Sequence, residues 1–471
     1  MKYRYFSVLA MGLAFAACSD EGDDGGDRAF TCEQEARENC IEIPAGDSDA
    51  LLLALNDDLK PNTTVILGEG TYMLDQTVTI TTPGTHLIGQ GIEKSTLDFS
   101  SMGAGGSDGV FVNGVDNFLV QDLTVLDSVK DGIRVEDSDG VVFRRIRATW
   151  TNEGDENNGA YGIYPVKSKN VLVEDSFAEN ASDAGLYVGQ CEYAIVRNNV
   201  VRGNVAGLEI ENTQYADVYG NLAEDNTGGI VVFDLPGNPI VGRDVRVRDN
   251  VIRGNNRKNF APMGVVKNIP AGTGTFAMAS RRVEITNNTY ENNKTVDIAV
   301  INGLLVDDKP STWRLETASL IGNWEDLGLP VGVREVLDEE ESPTGAYEEV
   351  EGTIGNYRSD EVVVAGNTHS GSGMEPDKDV LFGIVISGIF ENELPVPSVL
   401  YENIGESSFD LETEGGISND HHVCAGGNVD GDFAVARLFE GKFKRYSDDF
   451  GPFSCTELTA GPVGDVVLSG N

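Results

Sequence analysis

The sequence predicts a single right-handed parallel β-helix, and three observations carry the prediction. A glycine followed by a short alternating apolar strand recurs along the chain: Gly132-Ile133-Arg134-Val135, Gly162-Ile163-Tyr164, Gly185-Leu186-Tyr187-Val188, Gly207-Leu208-Glu209-Ile210 and Gly229-Ile230-Val231-Val232. The step from Gly185 to Gly207 to Gly229 is 22 residues both times, and strand-like units at such a period form a solenoid, because no repeat buries its apolar face alone. Asparagines return in the same frame, five residues apart: Asn199 and Asn204, Asn221 and Asn226, Asn250 and Asn255, Asn288 and Asn293, with Asp175 and Asn180 as a variant. Asn tolerates left-handed turns and, stacked coil on coil, forms internal amide ladders, so these residues are read as structural. Between the markers the apolar residues alternate, as in Val171, Val173 and Phe177, which is the period of a strand. Coils that all run the same way round must pair in parallel, and the crossover preference makes the helix right-handed.

The elements follow in order. Met1-Lys2-Tyr3-Arg4, the apolar run Phe6–Ala17 and then Cys18 form an export signal, too short for a stable membrane span. Residues 19–30 are an acidic, Gly-rich tether. Residues 31–60 form an N-terminal cap, with a helix over Asp47–Leu59 whose Leu51, Leu52, Leu53 and Leu55 supply an apolar face, capped by Asp47, Ser48 or Asp49 and covering the open end of the stack. The β-helix proper spans 61–303, with coils marked by Gly109, Gly132, Gly162, Gly185, Gly207, Gly229, Gly264 and Ile298, about 4.8 Å apart. Residues 304–360 are an acidic insertion that includes Asp338–Glu341 and Glu348-Glu349. Late coils at Val362–Asn367 and Gly383–Ile386 occupy 361–403, and 404–471 form a C-terminal cap without a clear repeat.

Lys plus Arg number 34 against 77 Asp plus Glu, a net charge of −43. This argues against nucleic acid or an anionic membrane surface as partner, and makes an anionic polymer a hard substrate without a local cation or basic patch. Export favours disulfides; Cys32 with Cys40 and Cys424 with Cys455 are the natural pairs, leaving Cys191 as a small packed residue. No metal site is assigned. Calcium is the one cofactor left open, since Asn428-Val429-Asp430-Gly431-Asp432 places oxygen donors at alternating positions but lacks the closing Glu of a full calcium loop. His86, His369, His421 and His422 lack metal-ligand spacing, and there is no nucleophile elbow, phosphate loop or zinc helix.

In each Gly-led strand the residue two steps after Gly points outward. Stacked coils give the outward column Arg134, Tyr164, Tyr187, Glu209 and Val231, flanked by Glu136, Lys167, Gln190, Glu211, Asn212 and Asp234. Tyrosine rings beside Arg, carboxylates and amides suit a sugar, with C–H faces on the rings and hydroxyls on the polar groups; ordinary cross-strand pairing on a polar exterior explains the same residues. Arg134, Tyr161, Tyr164, Tyr187, Gln190, Glu209 and Asn212 are the candidate ligand-binding residues. Asp183, Glu209, Glu211, Asp234 and Lys167 are the candidates for catalysis, because paired carboxylates perform acid–base work on a glycosidic bond and also bind calcium; the same positions also suit plain turns.

Two resemblances follow from these residues. Tyr161-Gly162-Ile163-Tyr164-Pro165-Val166-Lys167 resembles the Tyr-Gly-x-Asp-Pro-His-Asp stretch of mannuronan C5-epimerases, within the wider pectin-lyase-like group of exported carbohydrate-binding and sugar-hydrolase β-helix proteins. Tyr164, Val166 and Lys167 replace the motif's Asp, His and Asp, so that catalytic set is missing. Asn158–Pro165, Ser182–Gln190, Asn204–Asn212 and Thr227–Pro236 resemble a family of bacterial parallel β-helix repeat lipoproteins and secreted proteins of unknown function, over roughly residues 60 to 310. Phe15-Ala16-Ala17-Cys18 resembles the lipoprotein processing box, which implies a lipidated Cys18 and an envelope location, either outer membrane, periplasm-facing or cell surface, with membrane contact through the anchor alone. The resemblances imply a polysaccharide or oligosaccharide partner, with lyase, hydrolase or epimerase-like turnover if the protein is an enzyme. The alternative is a non-catalytic scaffold that docks a second exported protein.

Overall fold

The computed structural model describes residues 29–469, apart from 57–58, 308, 322–334, 337–346, 349–350, 403–418, 420, 438–443 and 448–449. Cys18 and Asp338–Glu341 lie outside the described residues. The chain winds into stacked coils whose strands form a twelve-stranded sheet and a twenty-stranded sheet. Pairing is in register and parallel from coil to coil, for example Leu186 with Leu208, Leu208 with Ile230, Ile230 with Thr275 and Thr275 with Ile298. The lumen is one continuous apolar core running from Ile43 to Phe453. Helix α1, Ser48–Asn56, packs Leu51 and Leu55 into its N-terminal end.

The recurrent glycines have a steric cause. A Cβ on Gly132, Gly162, Gly207 or Gly229 would lie 2.4–2.6 Å from the carbonyl oxygen of the corresponding glycine one coil on, closer than real Cβ contacts come. The asparagines form two ladders inside the stack. Each Nδ2 of Asn199, Asn221, Asn250, Asn288 and Asn367 donates to the Oδ1 of the next member, ending on Asn428, at 3.0–3.1 Å. Asn204, Asn226 and Asn255 repeat this toward Asn293 at 2.9–3.2 Å. The ladders satisfy turn backbone that the coil geometry would otherwise bury without partners.

Two coil assignments need correction. Gly264 lies in a loop at φ 83° rather than leading a coil; Gly274 takes that place, in the strand Thr273–Met278, which pairs with Gly228–Phe233. Gly383–Ile386 belongs to helix α2, Leu381–Phe390, not to a strand. Its apolar residues run without alternation, and it packs on the outside of the stack instead of extending it. Cys32 is bridged to Cys40 and Cys424 to Cys455. Cys191 is a buried free thiol, pushed up to about 12 by burial.

The last described segment runs back across the outer face of the twenty-stranded sheet. The amide of Thr459 donates to Glu361 and that of Val463 to Glu284, Asp465 pairs with Arg246 at 3.1 Å, and the amide of Ser469 donates to Asn170. Leu458 and Val463 pack on Val363 and Cys424.

Candidate functional site

The outward column of the twelve-stranded sheet is Thr79, Phe111, Arg134, Tyr164, Tyr187, Glu209, Val231, Phe276, Ala299 and Leu400. Its first four members are partly exposed; from Tyr187 onward every member is buried. The sequence reading treated this column as an open wall, and for Tyr187 and Glu209, 3% and 1% exposed, that is corrected. The outward residues turn apolar at Val231, and chain inserted between coils covers them. Val266 and Ile269 from the loop after Gly254 pack with Val231 and Phe233 in a second apolar cluster, joined by Leu304, Trp313, Ile386 and Phe390. Phe382 of α2 meets Phe276 edge-on at 5.8 Å. The sheet is thus a half-open floor ending at a step, and the polar candidates collect at the foot of that step.

Three tyrosines form the step's face. Tyr161, Tyr164 and Tyr187 touch pairwise, with ring centroids 4.6–4.8 Å apart. Behind them lie Asp183, Glu209 and Glu211. Burial, then Asp183 and Glu211, pushes Glu209 well above the usual carboxylate range. Burial, then Glu211 and Asp131, does the same to Asp183. Burial raises Glu211 to about 7 against hydrogen bonds from Tyr187 and Asn238. Glu209 Oε1 and Asp183 Oδ1 are buried without a hydrogen-bond partner. No salt bridge among the described residues reaches any of the three; Arg134 and Lys167 both pair with Glu136 instead. The Arg134 guanidinium also lies 5.5 Å from the ring centres of Phe111 and Tyr164.

Asp131 was missed. It stands one step before Gly132, where the strand turns its outward face, and its Oδ1 accepts the Tyr161 amide. Burial, then Asp108, raises it to about 7. The signal was in the sequence: Asp-Gly precedes two successive coil strands, at Asp108-Gly109 and Asp131-Gly132.

Of the other candidates, Lys167 and Gln190 leave the column, whereas Asp234 raises Glu211 and Asn238 donates to both Glu211 and Asn212. Lys167, Gln190 and Asn212 sit at a corner with φ of 49°, 54° and 43°, rotated off the column that holds Glu136 and Glu211. Asn212 accepts the Leu235 amide and donates to the Ile240 carbonyl, while Asp234 accepts the Gly242 amide and the Asn356 side chain; both shape the 234–242 loop. As for calcium, the Asn428 amide is the last rung of a ladder and Asp432 accepts the Ser398 amide. Among the described residues, the grouping of His, Cys, Asp and Glu close enough to share an ion is His422, Cys424 and Cys455, whose two thiols are joined to each other. The oxygens of Asp183, Glu209 and Glu211 do not converge in that way.

The family model described as right handed beta helix region matches residues 108–255 and 156–311. The chain folds as a right-handed parallel β-helix. Comparison of this β-helix chain with curated proteins returned no match. Among solved structures it is similar to a mannuronan C-5 epimerase A-module of Azotobacter vinelandii, at 14% identity and a TM-score of 0.44, covering 86% of this chain and 97% of that one. It is also similar to the pectate lyase Pel9A, at 13% identity and TM-score 0.41, covering 57% and 76%. An alginate lyase from Paenibacillus gives 17% identity and TM-score 0.37, covering 56% and 94%.

Proposed function

We propose that this β-helix protein binds a carbohydrate polymer along the open half of its twelve-stranded sheet, with the chain end or a branch seated against Tyr161, Tyr164 and Tyr187. The observation that supports this best is the tyrosine triad standing over carboxyl groups with unpartnered buried oxygens at the end of a partly exposed floor. Flat rings offer faces for pyranose C–H groups, and the free carboxyl oxygens accept hydroxyl or amine protons. A carboxyl group held protonated near neutral pH also has the property a general acid needs, so Asp183 or Glu211 is the candidate proton donor if the bound glycan is turned over. Export and a lipid anchor at Cys18 belong to this reading, supported by the signal and processing-box residues at the start of the chain.

Glycan-array binding with purified residues 28–471, with and without calcium, tests the reading. Each hit is retested with Tyr161→Ala and Tyr187→Ala. The expected result is at least one hit that both variants lose while still unfolding cooperatively, Tyr187→Ala at a lower midpoint because it removes a buried ring. Absence of any hit under either condition rejects carbohydrate binding. A second reading, docking of another exported protein, is favoured by α2, which covers the sheet yet leaves Leu381 73% and Ile384 48% exposed.

A further inference from the structure

Among the described residues, no cation pairs with the carboxyl trio. Asp183, Glu209 and Glu211 act on one another only repulsively, and the groups that lower Asp183 and Glu211 are neutral donors: Tyr161 for Asp183, and Tyr187 with Asn238 for Glu211. Arg134 and Lys167, on the neighbouring coils, are engaged by Glu136, at 13% side-chain exposure. Evolution of a merely structural buried acid normally supplies a partner, because an unpaired buried charge is costly. Elsewhere this chain does supply one: Glu174 is shared by Arg144 and Arg197, and Glu179 by Arg147 and Arg202. The trio stands apart from that pattern, and it has aromatic faces over it.

Rings with carboxylates behind them are the complement of an ammonium group, which gains from the ring faces and from the charges together. A divalent ion is a poorer complement, since the carboxyl oxygens are not gathered into one coordination sphere. The whole chain, at −43, also draws polycations from a distance and repels uronates.

We propose that Asp183, Glu209 and Glu211, with Tyr161, Tyr164 and Tyr187, receive the free amino group of an amino-sugar polymer. The proposal rests on the reading of this site as a glycan site and adds the charge class of the sugar. A pyranose ring lies on the partly exposed Tyr161 and Tyr164, and its ammonium group points to Asp183 and Glu211, with the Glu209 charge behind them. Binding an ammonium group favours the ionised carboxyls, so a complex formed near pH 6 releases protons from the cluster to the buffer.

The experiment is titration calorimetry of purified residues 28–471 with four probes: a glucosamine hexamer, an N-acetylglucosamine hexamer, a mannuronate hexamer and hexalysine. It is run at pH 6 in two buffers of different ionisation enthalpy. The expected result is binding of the glucosamine hexamer alone, with proton release and a loss of about thirtyfold or more in Glu209→Gln and in Asp183→Asn. Each variant is isosteric with the buried acid it replaces and leaves no cavity, so each retains its fold, which the thermal midpoint checks. If the acetylated or the uronate hexamer binds as tightly and Tyr161→Ala abolishes it, the charge assignment is overturned and the glycan site stands. Equal binding of hexalysine, or glucosamine binding that the acid variants leave unchanged, assigns the effect to the general negative surface and overturns the proposal. If no hexamer binds, the glycan reading falls, and this proposal with it.

Discussion

Asn250→Ala removes one rung from the middle of the longer asparagine ladder, and the structure sets the size of the loss. Asn250 is 1% exposed. Its Oδ1 accepts from the amide and the Nδ2 of Asn221, and its Nδ2 donates to Val218 O and Asn288 Oδ1. Alanine deletes all four hydrogen bonds. Asn221 Nδ2 keeps Val196 O and Asn288 Oδ1 keeps the Asn250 amide, but the backbone N–H of Asn221 is left buried with no acceptor. At about 1 kcal/mol for each bond, with a further 1–2 kcal/mol for the orphaned donor, the expected loss is roughly 5–6 kcal/mol. Asn428→Ala is the control. It also removes four hydrogen bonds, two accepted from Asn367 and two donated to Val364 and Ala425, but at a partly exposed rung where water replaces them. Its loss should be about half as large or less. Urea unfolding gives the global effect, and hydrogen exchange at the Asn221 amide gives the local one, which should accelerate by roughly a thousandfold. Equal losses for the two variants, or less than about 1.5 kcal/mol for Asn250→Ala, would refute the claim that the ladder's worth comes from satisfying buried backbone.

Two further predictions concern the strands of the twelve-stranded sheet. Gly207→Ala places a Cβ 2.6 Å from the Gly229 carbonyl oxygen and 2.8 Å from Asn226 Nδ2, so it should lower the melting midpoint strongly, whereas Gly105→Ala, where nothing lies within 4 Å, should leave it unchanged. Stability should also fall as pH rises from 5 to 8. The folded state raises Asp131 and Glu211 to about 7 and Asp234 to about 6, so it binds more protons than the unfolded chain. That contribution is complete below the unfolded carboxylate pKa and is lost as pH passes through 6–7. For Asp131 the full effect is on the order of 4 kcal/mol. Asp131→Asn should flatten the fall seen in thermal melts across this range, and an unchanged slope in that variant would contradict the assignment.

The lumen was legible in the sequence because it obeys a period. Gly, inward aliphatics and Asn return at one step, and each has a single physical job that any coil repeats. The outside of the stack does not repeat, and there the reading failed in an instructive way. Val231 already stood in the outward column, and an apolar residue facing out of a solenoid signals something packed upon it. The cover itself, from Val266 and Ile269 to Trp313 and α2, comes from insertions that follow no period, so its position could not be counted from the repeat. Asp183, Glu209 and Glu211 were named together, but their burial depends on that cover. Asn212 and Asp234 looked alike in spacing and proved to be loop ties, since hydrogen bonding to backbone 8 to 28 residues away leaves no trace in a one-dimensional pattern. Gly383–Ile386 shows the converse: a short apolar run reads equally as strand or helix, and only its placement outside the stack decides.

The segment from Thr459 to Ser469 lies head-to-tail against the direction in which coils are added, from the level of Glu361 back to that of Asn170. That orientation determines how the molecule answers to force. Tension applied at the C-terminal end reaches the Ser469–Asn170 contact first, then Asp465–Arg246, then Val463–Glu284, each a single bond loaded alone, so the segment peels like tape from its free edge. The coils are loaded only after it has lifted, having released roughly 35 Å of chain. The peel therefore runs against the order in which the coils are stacked, and it spares their pairing until Thr459 has come away.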